Sequence, residues 1–217
     1  MKKNFAMRVA ACLLVVTMLS LCMVSYTYAK FTTTDTGHDE ARVAKWGVVI
    51  TLADFDMFET NYNDSVTSQN TDKLVAPGTE GELAYTGLSG QPEVDVEVKF
   101  EADLQLTGWT VDGEYYCPLE ITVGDDTYKG TDYNSSAEFE AAVEDAIAAY
   151  TENYDVNTIL ENVDAPEVSW KWLIETGSTA EEKAANNAKD TALGKAAANG
   201  NAATIKLILT ATVTQLD

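Results

Sequence analysis

The sequence predicts a mostly β fold, an antiparallel β-sandwich interrupted by two helical insertions and preceded by a signal peptide. Three observations predict it. Apolar and polar residues alternate strictly over residues 94–106, and 205–213 repeats the pattern with a less polar outer face. At least seven segments read as strands, which calls for two packed sheets rather than one open one. The first 29 residues run from charged to apolar to small.

The N-terminal element comes first. Lys2, Lys3 and Arg8 precede an uncharged apolar run of 16 residues, 9–24, and Thr27-Tyr28-Ala29 places small residues at the two positions a signal peptidase reads. The run is shorter than the ~20 residues needed to span a bilayer, and no basic stop-transfer cluster follows it. Cleavage is therefore expected between Ala29 and Lys30. This divides the chain into a signal peptide (1–29), an extended N-terminal segment (30–40) and a β-sandwich domain (41–217). Two other membrane readings compete: lipidation at Cys12 or Cys22, each set in an incomplete lipoprotein box, and retention as an uncleaved anchor. The expected product is secreted and has no stable membrane anchor, with the signal peptidase as its partner during export.

Without residues 1–29 the chain keeps 11 Lys and Arg against 35 Asp and Glu, a formal charge of −24. Such a chain repels nucleic-acid phosphates and anionic membrane surfaces, so neither is an expected partner. The remaining 188 residues suit one domain with a real core. Cys12 and Cys22 leave with the signal, so Cys117 has no partner for an internal disulfide and packing must hold the fold. Between Tyr116 and Pro118, Cys117 reads as a small buried apolar residue.

Along the domain, Arg42, Ala44, Trp46, Val48, Ile50 and Leu52 share one face of a first strand. Ala76-Pro77-Gly78-Thr79-Glu80-Gly81 is a turn-rich entry into a strand carrying Leu83 and Tyr85. Val94, Val96, Val98, Phe100, Ala102, Leu104 and Leu106 alternate with polar residues, the mark of a long strand with one buried and one wet face. Leu119, Ile121 and Val123 lead through Gly124-Asp125-Asp126 into Thr127-Tyr128-Lys129, a hairpin. Val168, Trp170, Trp172 and Ile174 form a further strand face. The last strand, 205–213, is β-branched and less polar outside, so a partial cover over its outer face is expected.

Ser135 with Glu138 reads as a capping box, and Phe139, Val143, Ile147 and Tyr150 recur at helical spacing, predicting a helix over 136–150. Its acidic face, Glu138, Glu140, Glu144 and Asp145, is expected to be solvated. Residues 179–199, rich in Ala, Glu, Lys and Asn and broken by Gly194, predict a short helical excursion. Residues 61–72 form the most polar stretch and are expected to be a mobile loop.

Chemistry-bearing patterns are sparse. The chain has one histidine, His38, and no His-Glu-x-x-His helix, so a hydrolytic zinc site and a catalytic triad are not expected. No cofactor is expected beyond incidental calcium at Asp54 and Asp56 or at Asp125 and Asp126, since no Asp-x-Asp-x-Asp-Gly loop is present. Trp170 and Trp172 suit a core more than a carbohydrate platform. Asn63-Asp64-Ser65 and Asn134-Ser135-Ser136 match glycosylation acceptors.

Several pieces together resemble the TasA and camelysin (CalY) group of secreted bacterial biofilm-matrix proteins, processed by a SipW-type signal peptidase. They are Tyr26-Thr27-Tyr28-Ala29-Lys30-Phe31-Thr32, Ala41-Arg42-Val43-Ala44-Lys45-Trp46, Val75-Ala76-Pro77-Gly78-Thr79-Glu80-Gly81 and Val168-Ser169-Trp170-Lys171-Trp172. Lys189-Asp190-Thr191-Ala192-Leu193-Gly194, the closing Thr212-Val213-Thr214-Gln215-Leu216-Asp217 and the long alternating strand complete the set. The resemblance implies a jelly-roll-like sandwich and assembly into extracellular fibres, each subunit giving its freed N-terminus as a strand to the next. The partner is then the protein itself or a related matrix protein.

The candidate donor is Lys30, Phe31, Thr32, Thr33, Thr34, Asp35 and Thr36, which has β propensity but too few apolar residues to hold a core of its own. Camelysin relatives have been described as metalloproteases; this chain lacks the ligands for that activity. A competing reading is a secreted module that binds surface carbohydrate or protein, which an exposed tryptophan or tyrosine platform would favour, so that the exposure of Trp109, Trp170 and Trp172 tests it.

Overall fold

The computed structural model describes residues 3–26, 41–51, 56–62, 66–84 and 87–217. The cleavage junction at Ala29 and Lys30, the donor residues 30–36, His38 and Asp54 lie outside the described residues. The chain divides into two compact units, Met1–Arg42 and Val43–Asp217.

The first unit contains helix α1 (Lys3–Tyr26). Its stretch Asn4–Leu21 is apolar and long enough to cross a membrane, a test that a signal sequence near an N-terminus also passes. The helix starts well before the apolar run, and its 24 residues reach ~36 Å. Length therefore does not separate signal from anchor, contrary to the inference from the run alone.

The second unit is predominantly β. In chain order it holds β1 (Val48–Ile50), β2 (Asn61–Tyr62), β3 (Val66–Thr67), β4 (Glu80–Ala84), β5 (Leu88–Gly90) and β6 (Val96–Thr107). There follow β7 (Thr110–Val111), β8 (Glu114–Tyr115), β9 (Leu119–Val123), β10 (Asp126–Lys129), α2 (Ser136–Ala148), β11 (Glu152–Tyr154), β12 (Glu167–Trp172), α3 (Ala180–Ala198) and β13 (Thr204–Gln215). All pairings are antiparallel. One sheet runs β10-β9-β12-β4 and another β11-β6-β13, with β1-β5, β2-β3 and β7-β8 as two-stranded pieces.

The inner faces of the two larger sheets share one interior. Ile121, Val168 and Trp170 from the first meet Leu104, Ile205 and Leu207 from the second, with Met57, Phe58 and Val143 of α2, around a void of only about 10 Å³. The alternation predicted this packing: Val96, Val98 and Phe100 are fully buried, while Glu101, Asp103 and Gln105 face water. Trp109, Trp170 and Trp172 are 1, 2 and 5% exposed, so they build the core. The Trp170 indole N–H donates to Met57 O at 2.8 Å, and Gly81 leaves room for that approach, since a Cβ there would lie 2.1 Å from Met57 O.

Several sequence expectations change. The first strand shortens to Val48–Ile50, because its partner β5 offers only three residues. Within 61–72, β2 and β3 pair, and the buried Tyr62 accepts from Glu59 N and donates to Leu74 O, pinning the stretch expected to be a loop. The α3 helix runs 19 residues straight through Gly194, with a full capping box between Thr179 and Glu182. The outer face of β13 has no cover among the described residues: Thr204, Lys206, Ile208, Thr210, Thr212 and Thr214 are all exposed.

Candidate strand-accepting edge

Two strands of twelve residues, β6 and β13, pair along their whole lengths, from Val96 opposite Gln215 to Thr107 opposite Thr204. In an antiparallel ladder the N–H and C=O of alternate residues point to opposite sides. Leu104 and Leu106 direct their N–H groups away from β13, so the odd-numbered residues of β6 bond to the even-numbered residues of β13. The odd-numbered residues of β13 therefore turn their backbone groups to the outer edge.

The two outer edges of this ribbon are treated differently. On the β6 side, Val96 and Val98 pair with β11. Farther along, α2 takes the place of a strand: Glu144 Oε1 accepts from Leu104 N at 2.9 Å and Glu140 Oε1 from Leu106 N at 2.6 Å. These carboxylates were expected to be solvated. They seal an edge instead, because Phe139, Val143 and Ile147 sink fully into the core and draw the neighbouring turns against β6. Glu138 is also engaged, accepting from Asn134 N at 3.0 Å while Ser135 Oγ accepts from Glu138 N.

On the β13 side, the backbone N–H groups of Ile205, Leu207, Leu209, Ala211 and Val213 have no partner among the described residues. Edges of this length are usually blunted by proline, a bulge or charged side chains. The β13 sequence, TIKLILTATVTQ, has no proline, no acidic residue and a single lysine, Lys206. Its neighbour β6 carries Glu97, Glu101 and Asp103 on the same outer face. Negative charge thus ends one strand short of the open edge.

Elsewhere the other candidate residues are dispersed. Asp56 pairs with Lys73 at 2.6 Å on the surface, and Asp125 and Asp126 stand exposed at the β9–β10 hairpin. Among the described residues, no three His, Cys, Asp or Glu side chains gather to hold a metal. Cys117 is buried, and burial pushes its thiol up to about 12. Glu120, nearly buried on β9, is held between Lys129 at 3.2 Å and Lys171 at 3.1 Å across three strands.

A polar groove of about 780 Å³ runs between the segment after β12 and the start of α3, lined by Tyr116, Lys129, Tyr133, Glu175 and Lys189 among others. Beside it Asp190 of α3 is buried and accepts from Tyr116 Oη at 2.9 Å, while Lys189 Nζ lies 4.9 Å from the Tyr116 ring centre. The Trp172 indole N–H faces the same carboxylate without reaching hydrogen-bond geometry. Burial raises the Asp190 pKa, against which the Tyr116 hydrogen bond acts. This cluster fastens a helix that otherwise buries only Leu193.

No family model, curated protein or solved structure matches the chain. The edge geometry is therefore the principal guide to what the molecule does. Sequence reasoning named a candidate donor and left the candidate accepting edge unplaced. The signal for that edge was present in the absence of acidic residues from 204–215, which period-two alternation does not report.

Proposed function

We propose that this chain is a secreted structural subunit of a cell surface or biofilm matrix, with a jelly-roll-like sandwich, that polymerises head to tail by N-terminal strand donation. The observation that carries the reading is the open edge of β13. Among the described residues it presents a row of unpaired backbone groups along its twelve residues, while the β6 side of the same ribbon is closed by β11 and α2. One donor per subunit entering this long edge gives a linear polymer rather than a network.

Donor and acceptor suit each other chemically. The interior behind β13 is filled, leaving no deep pockets for large donor side chains. A segment recruited there gains chiefly backbone hydrogen bonds, and Lys30 to Thr36 is rich in threonine and poor in apolar side chains. On the wet face, Thr210, Thr212 and Thr214 offer cross-strand partners to Thr32, Thr33, Thr34 or Thr36. Seven donor residues span ~24 Å, within the ~41 Å of β13.

Two measurements test the reading. The chain beginning at Lys30 is expected to form fibres visible by electron microscopy, and the chain beginning at Gly37 to stay monomeric. Ala211→Pro is expected to abolish fibres while preserving the monomer, because it removes an N–H that points away from β6. Fibres of unchanged yield from either variant would rule out donation into this edge. Burial of Trp109, Trp170 and Trp172 gives no support from these tryptophans to the reading as a carbohydrate-binding module.

A further inference from the structure

The described surface has nine exposed large apolar side chains outside α1, and four of them, Val43, Trp46, Val49 and Ile50, fall within eight consecutive residues. Two more, Val156 and Ile159, lie in a loop tied to the same region. That loop is bound by Asn157 N donating to Pro92 O, Gln91 Nε2 to Asn157 O and Gly90 N to Glu161 Oε1. Beside it β5 pairs with β1. Concentration of apolar surface in one lobe marks an interface more than isolated exposure does.

We infer that residues 43–50, an arm directly following the donor segment, form a second contact that seats each subunit on the next copy of this chain. The inference rests on the strand-donation reading and adds an apolar anchor to it. Chain length supports it: Val43 lies seven residues beyond Thr36, so it cannot be more than ~25 Å from the donor's end wherever the donor is bound. Charge supports it too. Residues 41–51 contain Arg42 and Lys45 and no acid, whereas residues 52–217 contain 8 Lys and Arg against 32 Asp and Glu. A basic, apolar arm thus meets an acidic second copy.

The arm also carries its own reporter. Of the chain's four tryptophans, Trp46 is 42% exposed and the other three are buried. Acrylamide quenching of tryptophan fluorescence is to be measured on the chain beginning at Lys30, before and after assembly, beside Trp46→Phe. The compact unit Val43–Asp217 is intact in both proteins.

On assembly the quenching of the native protein is expected to fall to the level of the Trp46→Phe variant. Val49→Glu, at an exposed position, is expected to raise the concentration needed for assembly while leaving monomer stability unchanged. Fibres in which Trp46 stays as quenchable as in the monomer would overturn the arm contact and leave strand donation standing. Failure of the Lys30 chain to assemble at all would overturn both.

Discussion

A glutamate on the polar face of a helix ordinarily faces water, and Glu140 and Glu144 were placed there by sequence because helical periodicity reports only the apolar stripe. Both instead accept from backbone N–H groups of β6, bonds to ionised acceptors worth about 1.5–3 kcal/mol each. Glu140→Ala and Glu144→Ala are each expected to lose an amount of that order in urea denaturation, and the Gln variants to lose less because an acceptor oxygen remains. Asp190 makes the complementary case. Burial raises its pKa above the ordinary 3.8. Its contribution to stability is therefore fully present below the unfolded value and is lost as pH rises through the folded one. Asp190→Asn keeps an acceptor for Tyr116 and removes that loss. Its denaturation midpoint is expected to gain on the native protein between about pH 3.5 and pH 7; a gap that does not change with pH would show that the carboxylate titrates alike in the folded and unfolded chain.

At the scale of elements, residues that report their own burial were legible and properties that depend on a neighbour were not. Alternation in β6, β12 and β13 reported which side chains point inward, and Trp170, Trp172 and Cys117 are buried as their patterns predict, whereas Ile174, expected on the same face as those tryptophans, lies beyond the end of β12 and is 62% exposed. Alternation over 42–52 suggested an equally long first strand, yet strand length belongs to the pair, and β5 supplies only three partners. The openness of the β13 edge among the described residues likewise depends on what lies beside it rather than on its own sequence. Gly194 misled differently: read as a helix breaker, it sits inside α3 with open space where a Cβ would be and no left-handed backbone. It costs helix stability without serving a close approach, so Gly194→Ala is expected to stabilise the chain by about 0.5–1 kcal/mol, read as a shift in thermal midpoint. A loss of stability there would mean that the added methyl group meets a neighbour in the folded chain.

At the scale of the whole molecule, the formal charge of −24 on the chain beginning at Lys30 must be reconciled with head-to-tail growth. Like-charged subunits repel over the Debye length, ~30 Å at 0.01 M salt and ~10 Å at 0.1 M, so low salt keeps acidic copies apart. The surfaces assigned to assembly are the two places where that repulsion is relieved: β13, with no acidic residue, and residues 41–51, with two basic ones. Contact is then held by backbone hydrogen bonds and apolar burial, which salt does not weaken as it weakens ion pairs. The lag before fibre growth is therefore expected to shorten, and the soluble fraction at equilibrium to fall, as sodium chloride rises from about 0.01 M to about 0.2 M. Light scattering and sedimentation of the Lys30 chain measure both. The opposite trend, slower growth in higher salt, would mean that attraction between the basic arm and the acidic body dominates the encounter, and would move the weight of the interface from the neutral edge to those charges.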